Sequence, residues 1–319
     1  MNVNEKQIRE LFYRYCRYIA YTPSIFEDDI WNYLMKTVGT YFNTDVMYKK
    51  FCDVLKLYDY NIEAFEKEHD EIKSRLINVL SNAYNSCNIT EEDYEKYHSF
   101  MRFNYLKDGT YLTIDLRNAH IQCLCYYGVL TAEDIDNVFS VSPFGKILQQ
   151  YKWYYSGAYN FCRNNHVGFI LSKKLLHIAY NSDDPFFKKI KEYSKTFQIV
   201  GDRMFIKIKE EDINLFEEYL YKDYETIDGI RFSVDICNRR TIKFKNFPRV
   251  FVDDSHCACG KFYANLYTNT VNYDLYPQIY KILKKEPIEK YDLAFGYDDD
   301  INYFIEELRE TFRSPLILL

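Results

Sequence analysis

Hydrophobic residues in the first hundred positions recur at helical spacing within a charged background. They occupy every third or fourth position near the N-terminus and again around residue 76, as expected for one buried helix face. The positions are Ile8, Leu11, Phe12, Tyr15 and Ile19, followed by Ile72, Leu76, Ile77 and Leu80. Thr90 and Asp93 have the spacing of a capping box that begins a further helix. The pattern predicts a helical N-terminal region over residues 1–106.

The pattern changes after the turn signal Lys107-Asp108-Gly109. Short runs of β-branched and apolar residues then predict strands, and these runs alternate with segments of helical periodicity. The predicted strands cover 111–115, 197–200, 204–208 and 230–236. Helices are predicted at 117–127 and 210–221, and a helical insertion, with a long aromatic-rich helix over 144–180, at about 131–195.

Without the insertion, the order of elements is strand, helix, strand, strand, helix, strand, which is the ferredoxin-like arrangement. The sequence therefore predicts an α+β fold with a ferredoxin-like βαββαβ core over residues 107–236. Residues 237–319 are predicted to add C-terminal strands and helices. In this arrangement the first and third strands are neighbours, so Asp115 at the end of one and Asp202 in the hairpin before the other should meet.

Two aspartates at strand ends have a specific chemical use. Carboxylates suit hard divalent cations, and a pair of such cations can activate an attacking hydroxyl and stabilise a pyrophosphate leaving group. Asp115 and Asp202 are therefore the candidate catalytic residues and the candidate ligands of Mg²⁺ or Mn²⁺, with the backbone carbonyl of Leu116 as an additional ligand. The alternative for each is structural, because aspartate also caps helices and Gly-Asp pairs form hairpin turns.

The two segments resemble motifs of palm-domain nucleic-acid polymerases. Asp115-Leu-Arg-Asn-Ala-His-Ile-Gln-Cys-Leu124 resembles the first catalytic motif, in which a helix follows a strand-end aspartate, with the apolar spacing of family A enzymes. Ile199-Val-Gly-Asp-Arg-Met-Phe-Ile206 resembles the hairpin motif that supplies the second carboxylate. The resemblance implies a palm-type DNA or RNA polymerase whose partners are nucleic acid and nucleoside triphosphates.

The resemblance implies further substrate-binding residues. At some positions this sequence departs from the polymerase motifs. His120 occupies the place of the residue that screens the sugar 2′-hydroxyl in such polymerases, where glutamate or tyrosine is common. Lys173, Lys174 and Tyr180 are candidates for the fingers helix that contacts the incoming triphosphate; a solvated helix face is the alternative for the lysines. Arg203 stands where the hairpin usually has a second acidic residue.

A second group of polar residues follows in Asp253, Asp254, His256, Cys257 and Cys259. The valine and two aspartates resemble a reverse-transcriptase hairpin, but they lie farther from Asp115 than a compact palm of that kind allows. The histidine and cysteines could bind zinc, although the paired Cys-x-x-Cys spacing is absent. A strand followed by a turn is the favoured interpretation.

Residues 239–249 contain five basic residues and no acidic residue, with two phenylalanines between them. On a strand, Lys243 and Lys245 would share one face and, with Arg239 and Arg240, could follow a phosphate backbone while aromatic rings stack on bases. The alternative is an edge strand that lysines protect from aggregation. These four residues are the nucleic-acid-binding candidates.

Composition limits the class of protein. The chain of 319 residues is 47% hydrophobic, so it can bury a substantial core, and its net charge of −6 disfavours a general nucleic-acid coat protein but allows a local basic groove. The 33 tyrosines and 24 phenylalanines, with few glycines and prolines, are typical of AT-rich genomes such as those of some viruses and phages.

Several features indicate a cytoplasmic protein, in the host cell if the source is viral. The nine cysteines are an odd number in a chain too large to need a disulfide scaffold, which predicts free thiols. The N-terminus lacks a secretory signal, and no apolar run is long enough to span a membrane. A helix is predicted from Asp298 to Arg309, and the apolar tail Ser314–Leu319 is either buried or a docking peptide for a protein partner.

Two functional hypotheses follow from the sequence. The first is a palm-type, metal-dependent nucleotidyltransferase. The second is a noncatalytic viral or phage binding or assembly protein.

Overall fold

The computed structural model describes residues 4–17, 21–98, 106–155, 158, 167–242, 250–256, 262–267, 273–297 and 300–303. The chain divides into two compact units. The first contains residues 1–67, 241–252 and 263–319, and the second contains residues 68–240 and 253–262. This division differs from the three consecutive segments predicted, because C-terminal residues join the N-terminal helices in one unit. The α+β class is confirmed.

The first unit is mainly helical. Its helices are α1 (Glu5–Cys16), α2 (Asp28–Leu34), α3 (Thr44–Leu57), the beginning of α4 (Ile62–Ser86) and α11 (Tyr276–Lys284). Short π and 3₁₀ segments lie at Met35–Gly39, Tyr273–Leu275 and Lys290–Leu293. Phe12 and Phe51 are fully buried, with ring centroids 5.7 Å apart. Arg9 is also buried and is held by Asp28 at 2.7 Å and by the Phe26 carbonyl at 2.8 Å.

A two-stranded sheet completes the first unit and corrects one prediction. Strands β8 (Ala294–Tyr297) and β9 (Asp300–Tyr303) pair antiparallel, with Phe295 opposite Asn302. The predicted helix from Asp298 is therefore wrong at 300–303, because the backbone there pairs with β8. The remainder of that predicted helix and the apolar tail lie outside the described residues.

The second unit combines helices with the main sheet. After the end of α4, its helices are α5 (Glu91–Tyr97), α6 (Ala119–Tyr126), α7 (Ala132–Phe139), α8 (Gly145–Leu148), α9 (Val167–Asn181) and α10 (Pro185–Tyr193). The strands of the main sheet are β1 (Gly109–Leu116), β2 (Gln198–Val200), β3 (Arg203–Lys207), β4 (Asp223–Glu225), β5 (Arg231–Ile242), β6 (Val250–His256) and β7 (Phe262–Tyr267). Strands β1 to β4 belong to the second unit, whereas β5 after Arg240, β6 up to Val252 and β7 after Phe262 belong to the first. Their order is β2-β3-β1-β5-β6-β7, and β4 also pairs with β5.

Two predicted helices differ from the observed elements. The segment predicted as a helix over 210–221 is a 3₁₀ helix at Glu210–Phe216. It cannot continue as an α-helix to its predicted end, because the backbone N–H of Tyr221 donates to the carbonyl of Val234 in β5 at 2.8 Å. The long helix predicted over 144–180 is interrupted at Tyr151, which separates α8 from a short helical segment at 152–155.

The two faces of the sheet have different characters. Strand β1 pairs antiparallel with β3 on one side and with β5 on the other. One face is apolar and buried, with Leu112, Ile114, Leu116, Met204, Ile206, Phe232, Val234 and Ile236. Helix α10 packs there, since the rings of Phe186 and Phe187 lie within 5.4 and 5.3 Å of the Phe232 ring. The opposite face carries the polar residues described next.

Candidate functional site

The structure brings the two predicted aspartates together at one end of the β1–β3 pair. Asp202 follows Gly201, whose φ of +65° forms the turn between β2 and β3, and the backbone N–H of Leu116 donates to the Asp202 carbonyl at 3.2 Å. Asp115 lies opposite Arg203, the next residue along the chain. The pairing of the first and third strands, from which the meeting of the aspartates was predicted, is therefore observed.

Arg203 forms an ion pair with Asp115. Its Nη2 lies 3.2 Å from Oδ2 of Asp115, and both side chains are partly exposed. The guanidinium also lies 6.0 Å from the centre of the Phe205 ring. Arg203 thus neutralises part of the charge of Asp115.

Electrostatic interactions link the two aspartates. Asp202 is exposed at the turn, yet protein atoms crowd its carboxylate; this crowding and then the negative charge of Asp115 raise its pKa to about 6. The positive charges of Arg203 and the exposed Lys152 act in the opposite direction. Lys152 was not among the predicted site residues, because nothing in its local sequence connects it with the hairpin.

A third aspartate belongs to the same cluster. Asp235 of β5 lies opposite Thr113, two residues along the same strand face from Asp115. Burial raises the pKa of Asp235, Arg203 opposes the increase, and Asp115 adds to it. The sequence contained a signal for this residue, since Ser233 and Asp235 alternate with the buried Phe232, Val234 and Ile236, but only the strand register connects it with Asp115.

The three aspartates have the oxygen chemistry that a hard cation requires, but they do not form a complete metal cage. Across the part of the chain that the structure describes, no group of three or more His, Cys, Asp or Glu residues is arranged to hold a metal ion. Asp115 and Asp202 fit a cation as a pair, because their mutual repulsion would be relieved and water or phosphate oxygens could supply other ligands. Binding would require Asp115 to exchange its contact with Arg203.

His120 is held by neighbouring helices. Its Nδ1 lies 2.5 Å from the hydroxyl of Tyr84, and its ring centre lies 6.2 Å from that of Phe169. Gly168 is required beside it, since a Cβ at this position would lie 2.5 Å from Nδ1 of His120. The structure thus gives His120 a packing role, and its predicted contact with a sugar stays a prediction.

The three residues proposed for the triphosphate have structural partners instead. Lys173 is buried and donates to the Tyr97 carbonyl at 3.2 Å, and burial lowers its pKa. Lys174 pairs with Asp93 at 2.8 Å, and the hydroxyl of Tyr180 donates to the Ser194 carbonyl at 3.3 Å. Most of α9 is buried, so its polar side chains find partners within the protein, and the predicted contact of these three residues with a triphosphate stays a prediction.

The basic segment is only partly described. Arg239 is 2% exposed and its Nε donates to the Leu106 carbonyl at 3.2 Å, so the structure gives it a packing role, and its predicted contact with phosphate stays a prediction. Arg240, the next residue on β5, is exposed. Lys243 and Lys245 lie outside the described residues.

The structure describes the second polar group only in part. Asp253, Asp254 and His256 belong to the backbone of β6, in agreement with the predicted strand, but their side chains are outside the described part of the structure, as are Cys257 and Cys259. The described cysteines are free, as predicted. They are Cys16, Cys52, Cys87, Cys123, Cys125 and Cys237.

Comparison of the chain with protein-family models, with curated proteins and with solved structures gave no match. Among the helices that the structure describes, none combines the length and the apolar character needed to cross a bilayer.

Proposed function

We propose that this protein is a metal-dependent nucleotidyltransferase with a palm-type, ferredoxin-like core. The observation that carries the proposal is the β1–β3 pairing, which brings together Asp115 and Asp202. The strand order β2-β3-β1-β5 supports the core, because it is the order expected when a hairpin strand inserts beside the first strand of a βαββαβ unit.

The chemistry of the cluster suits phosphoryl transfer. Asp115 and Asp202 would hold Mg²⁺ or Mn²⁺, which lowers the barrier for the attacking hydroxyl and stabilises charge on the pyrophosphate. Arg203 and Lys152 supply positive charge beside these carboxylates and are better placed to contact phosphates than Lys173 and Lys174. The substrates would be nucleoside triphosphates and a nucleic-acid strand.

Incorporation of labelled nucleotides tests the proposal directly. The wild-type chain, Asp115→Asn and Asp202→Asn are assayed with Mg²⁺ or Mn²⁺ on primed and unprimed DNA and RNA templates. Each substitution should lower incorporation at least about a hundredfold, since electrostatic stabilisation is a large part of such catalysis. Asp183→Asn is the matched control, because Asp183 is 96% exposed and pairs only with Lys188 among the contacts described. Full activity of both site variants would refute the proposal.

The Asp115–Arg203 ion pair favours one alternative, a noncatalytic binding or assembly protein in which the aspartates only stabilise the hairpin. Calorimetric titration with Mg²⁺ and Mn²⁺ separates the two. The nucleotidyltransferase requires saturable metal binding that Asp202→Asn weakens, whereas the alternative predicts identical, negligible heats for the wild type and the variant.

A further inference from the structure

A pocket on the polar face of the sheet combines aromatic walls with two lysines. It has a volume of about 290 Å³ and lies at the opposite end of β1 from Asp115. The lining residues are Lys107, Tyr111, Thr196, Phe197, Gln198, Phe205 and Lys207. This volume is close to the lower limit of typical small-ligand sites, about 300 Å³.

The framework of the pocket is rigid. Tyr111 and Phe205 are buried and pack edge to face with centroids 6.0 Å apart. The hydroxyl of Tyr111 donates to the Lys107 carbonyl at 2.8 Å, which fixes the backbone that carries one lysine. Phe197 is half-buried, and its ring packs against Tyr180 with centroids 4.3 Å apart.

The pocket contains charged and hydrogen-bonding groups that a ligand could contact. Lys107 and Lys207 are exposed, and the side chain of Lys207 passes within 3.2 Å of where a Cβ at Gly109 would lie. Oε1 of Gln198 is buried and accepts no hydrogen bond from any group that the structure describes. A buried acceptor without a donor is costly. If the Gln198 side chain turned toward the pocket, a ligand N–H group could supply the missing hydrogen bond.

We infer that this pocket binds one nucleotide unit. The two ammonium groups bind its phosphate, the exposed edge of Phe197 supports its base, and Gln198 accepts a hydrogen bond from the base edge. Two lysines suit a phosphate, and aromatic rings stack on bases irrespective of sequence.

The pocket and the aspartates lie on one face of the sheet. Tyr111 and Asp115 are four residues apart on β1, which corresponds to about 13 Å at about 3.3 Å per residue. A single strand with a stacked rise of about 3.4 Å covers this separation in a few nucleotides. A nucleic-acid strand that occupies the pocket can therefore reach Asp115. This relation between the two sites rests on the proposed function, whereas nucleotide binding in the pocket does not.

Equilibrium binding without divalent metal tests the inference. Fluorescence anisotropy is measured with labelled oligothymidylate and oligouridylate of about ten nucleotides, and the complex is challenged with uridine monophosphate or with inorganic phosphate. Competition by the monophosphate identifies a free nucleotide as a ligand, and binding of the oligonucleotides alone identifies a strand. Inorganic phosphate that competes as well as the nucleotide would overturn base recognition.

Variants assign the binding to the pocket. Lys107→Gln with Lys207→Gln should weaken oligonucleotide binding at least about tenfold and reduce the slope of log affinity against log salt by about 0.7, since the two lysines bind one phosphate and each phosphate neutralised on a single strand contributes about 0.7. Phe197→Leu should weaken binding but leave the salt slope unchanged. Lys146→Gln with Lys188→Gln removes equal charge from exposed sites outside the pocket and should have no effect.

Failure of the pocket inference and failure of the proposed function give different experimental results. Unchanged affinity and salt slope in the double lysine variant, with its thermal unfolding midpoint preserved, would reject the pocket, and so would a wild-type chain that binds neither ligand. Oligonucleotide binding is measured without divalent metal, whereas incorporation requires it. A wild-type chain that binds the oligonucleotides but incorporates no nucleotide would therefore contradict the proposed function alone.

Discussion

Asp115 on β1 faces Arg203 on β3, and their side chains form an ion pair at 3.2 Å. The pair lies beside Asp202 and Asp235, whose pKa values the surrounding protein raises and Arg203 lowers. Arg203 is therefore a positive charge that, with Lys152, limits repulsion among three carboxylates at this end of the sheet.

Arg203→Gln should increase the repulsion among these carboxylates. We expect the pKa of Asp202 and of Asp235 to rise further, because both lose an opposing positive charge. Carboxyl ¹³C chemical shifts followed against pH measure this directly. Lys188→Gln, which removes an equal charge from a pair with Asp183, is the control and should move neither pKa. A fall in either value would show that another group controls the cluster.

Arg203→Gln also tests whether the ion pair with Asp115 competes with metal binding. If Asp115 must release Arg203 to bind a cation, then Arg203→Gln should bind Mg²⁺ more tightly than the wild type, since one competing charge is removed. Its incorporation rate should nevertheless fall, because Arg203 also supplies charge to the phosphates. Weaker metal binding in Arg203→Gln would contradict this arrangement of the site.

Ionisation of Asp202 should reduce folding stability. Its folded pKa of about 6 exceeds the unfolded value of about 3.9, so the folded state binds the proton more strongly and stability falls as pH rises between these values. Because the residue is open to solvent, we expect a contribution of about 1 kcal/mol or less.

Urea unfolding at a series of pH values measures this contribution. Asp202→Asn should be more stable relative to the wild type at neutral pH than near pH 4, and Mg²⁺ at neutral pH should raise the unfolding midpoint of the wild type but not of the variant. Asp183→Asn is the control for a general charge effect. A pH-independent difference between Asp202→Asn and the wild type would exclude a raised pKa at this position.

Arg239 and Arg240 are consecutive residues of β5 that differ in burial, so the same substitution can be compared at the two positions. Arg239→Ala should destabilise the protein by about 1–3 kcal/mol, because it leaves the Leu106 carbonyl unsatisfied and removes a buried side chain. Arg240→Ala should change the free energy of unfolding by less than about 0.5 kcal/mol, as is usual for exposed positions. Chemical denaturation measures both. Equal effects would show that burial does not distinguish these neighbours.

Local patterns predicted strands β1, β2, β3 and β5 and helix α6, but they also predicted an α-helix where the 3₁₀ segment Glu210–Phe216 lies. The meeting of Asp115 with Asp202 could be predicted because it depends on the pairing of β1 with β3, a property of the topology. The surroundings of Lys173 and Arg239 could not, because both are buried polar residues whose partners, Tyr97 and Leu106, are remote in sequence. Asp235 joined the cluster only through the register of β5.

Gly168 in α9 is needed because His120 occupies the space of a side chain. In Gly168→Ala the new Cβ would lie 2.5 Å from His120 Nδ1 and 2.9 Å from the Tyr84 hydroxyl, so the histidine or the helix must shift. Overpacking of this kind costs about 1–3 kcal/mol, although alanine is the better helix former. Urea denaturation should therefore show a loss of stability in Gly168→Ala.

A double-mutant cycle tests whether His120 causes this loss. His120→Ala removes the ring that the new Cβ would meet, so Gly168→Ala should cost less in the His120→Ala background than in the wild type, with a coupling energy of about 0.5–3 kcal/mol. The Tyr84 hydroxyl loses its contact with His120 in both His120→Ala proteins, so this loss cancels in the comparison. Strict additivity of the two substitutions would place the cost of Gly168→Ala in the contact with Tyr84 or in the helix backbone and would contradict the close approach of His120.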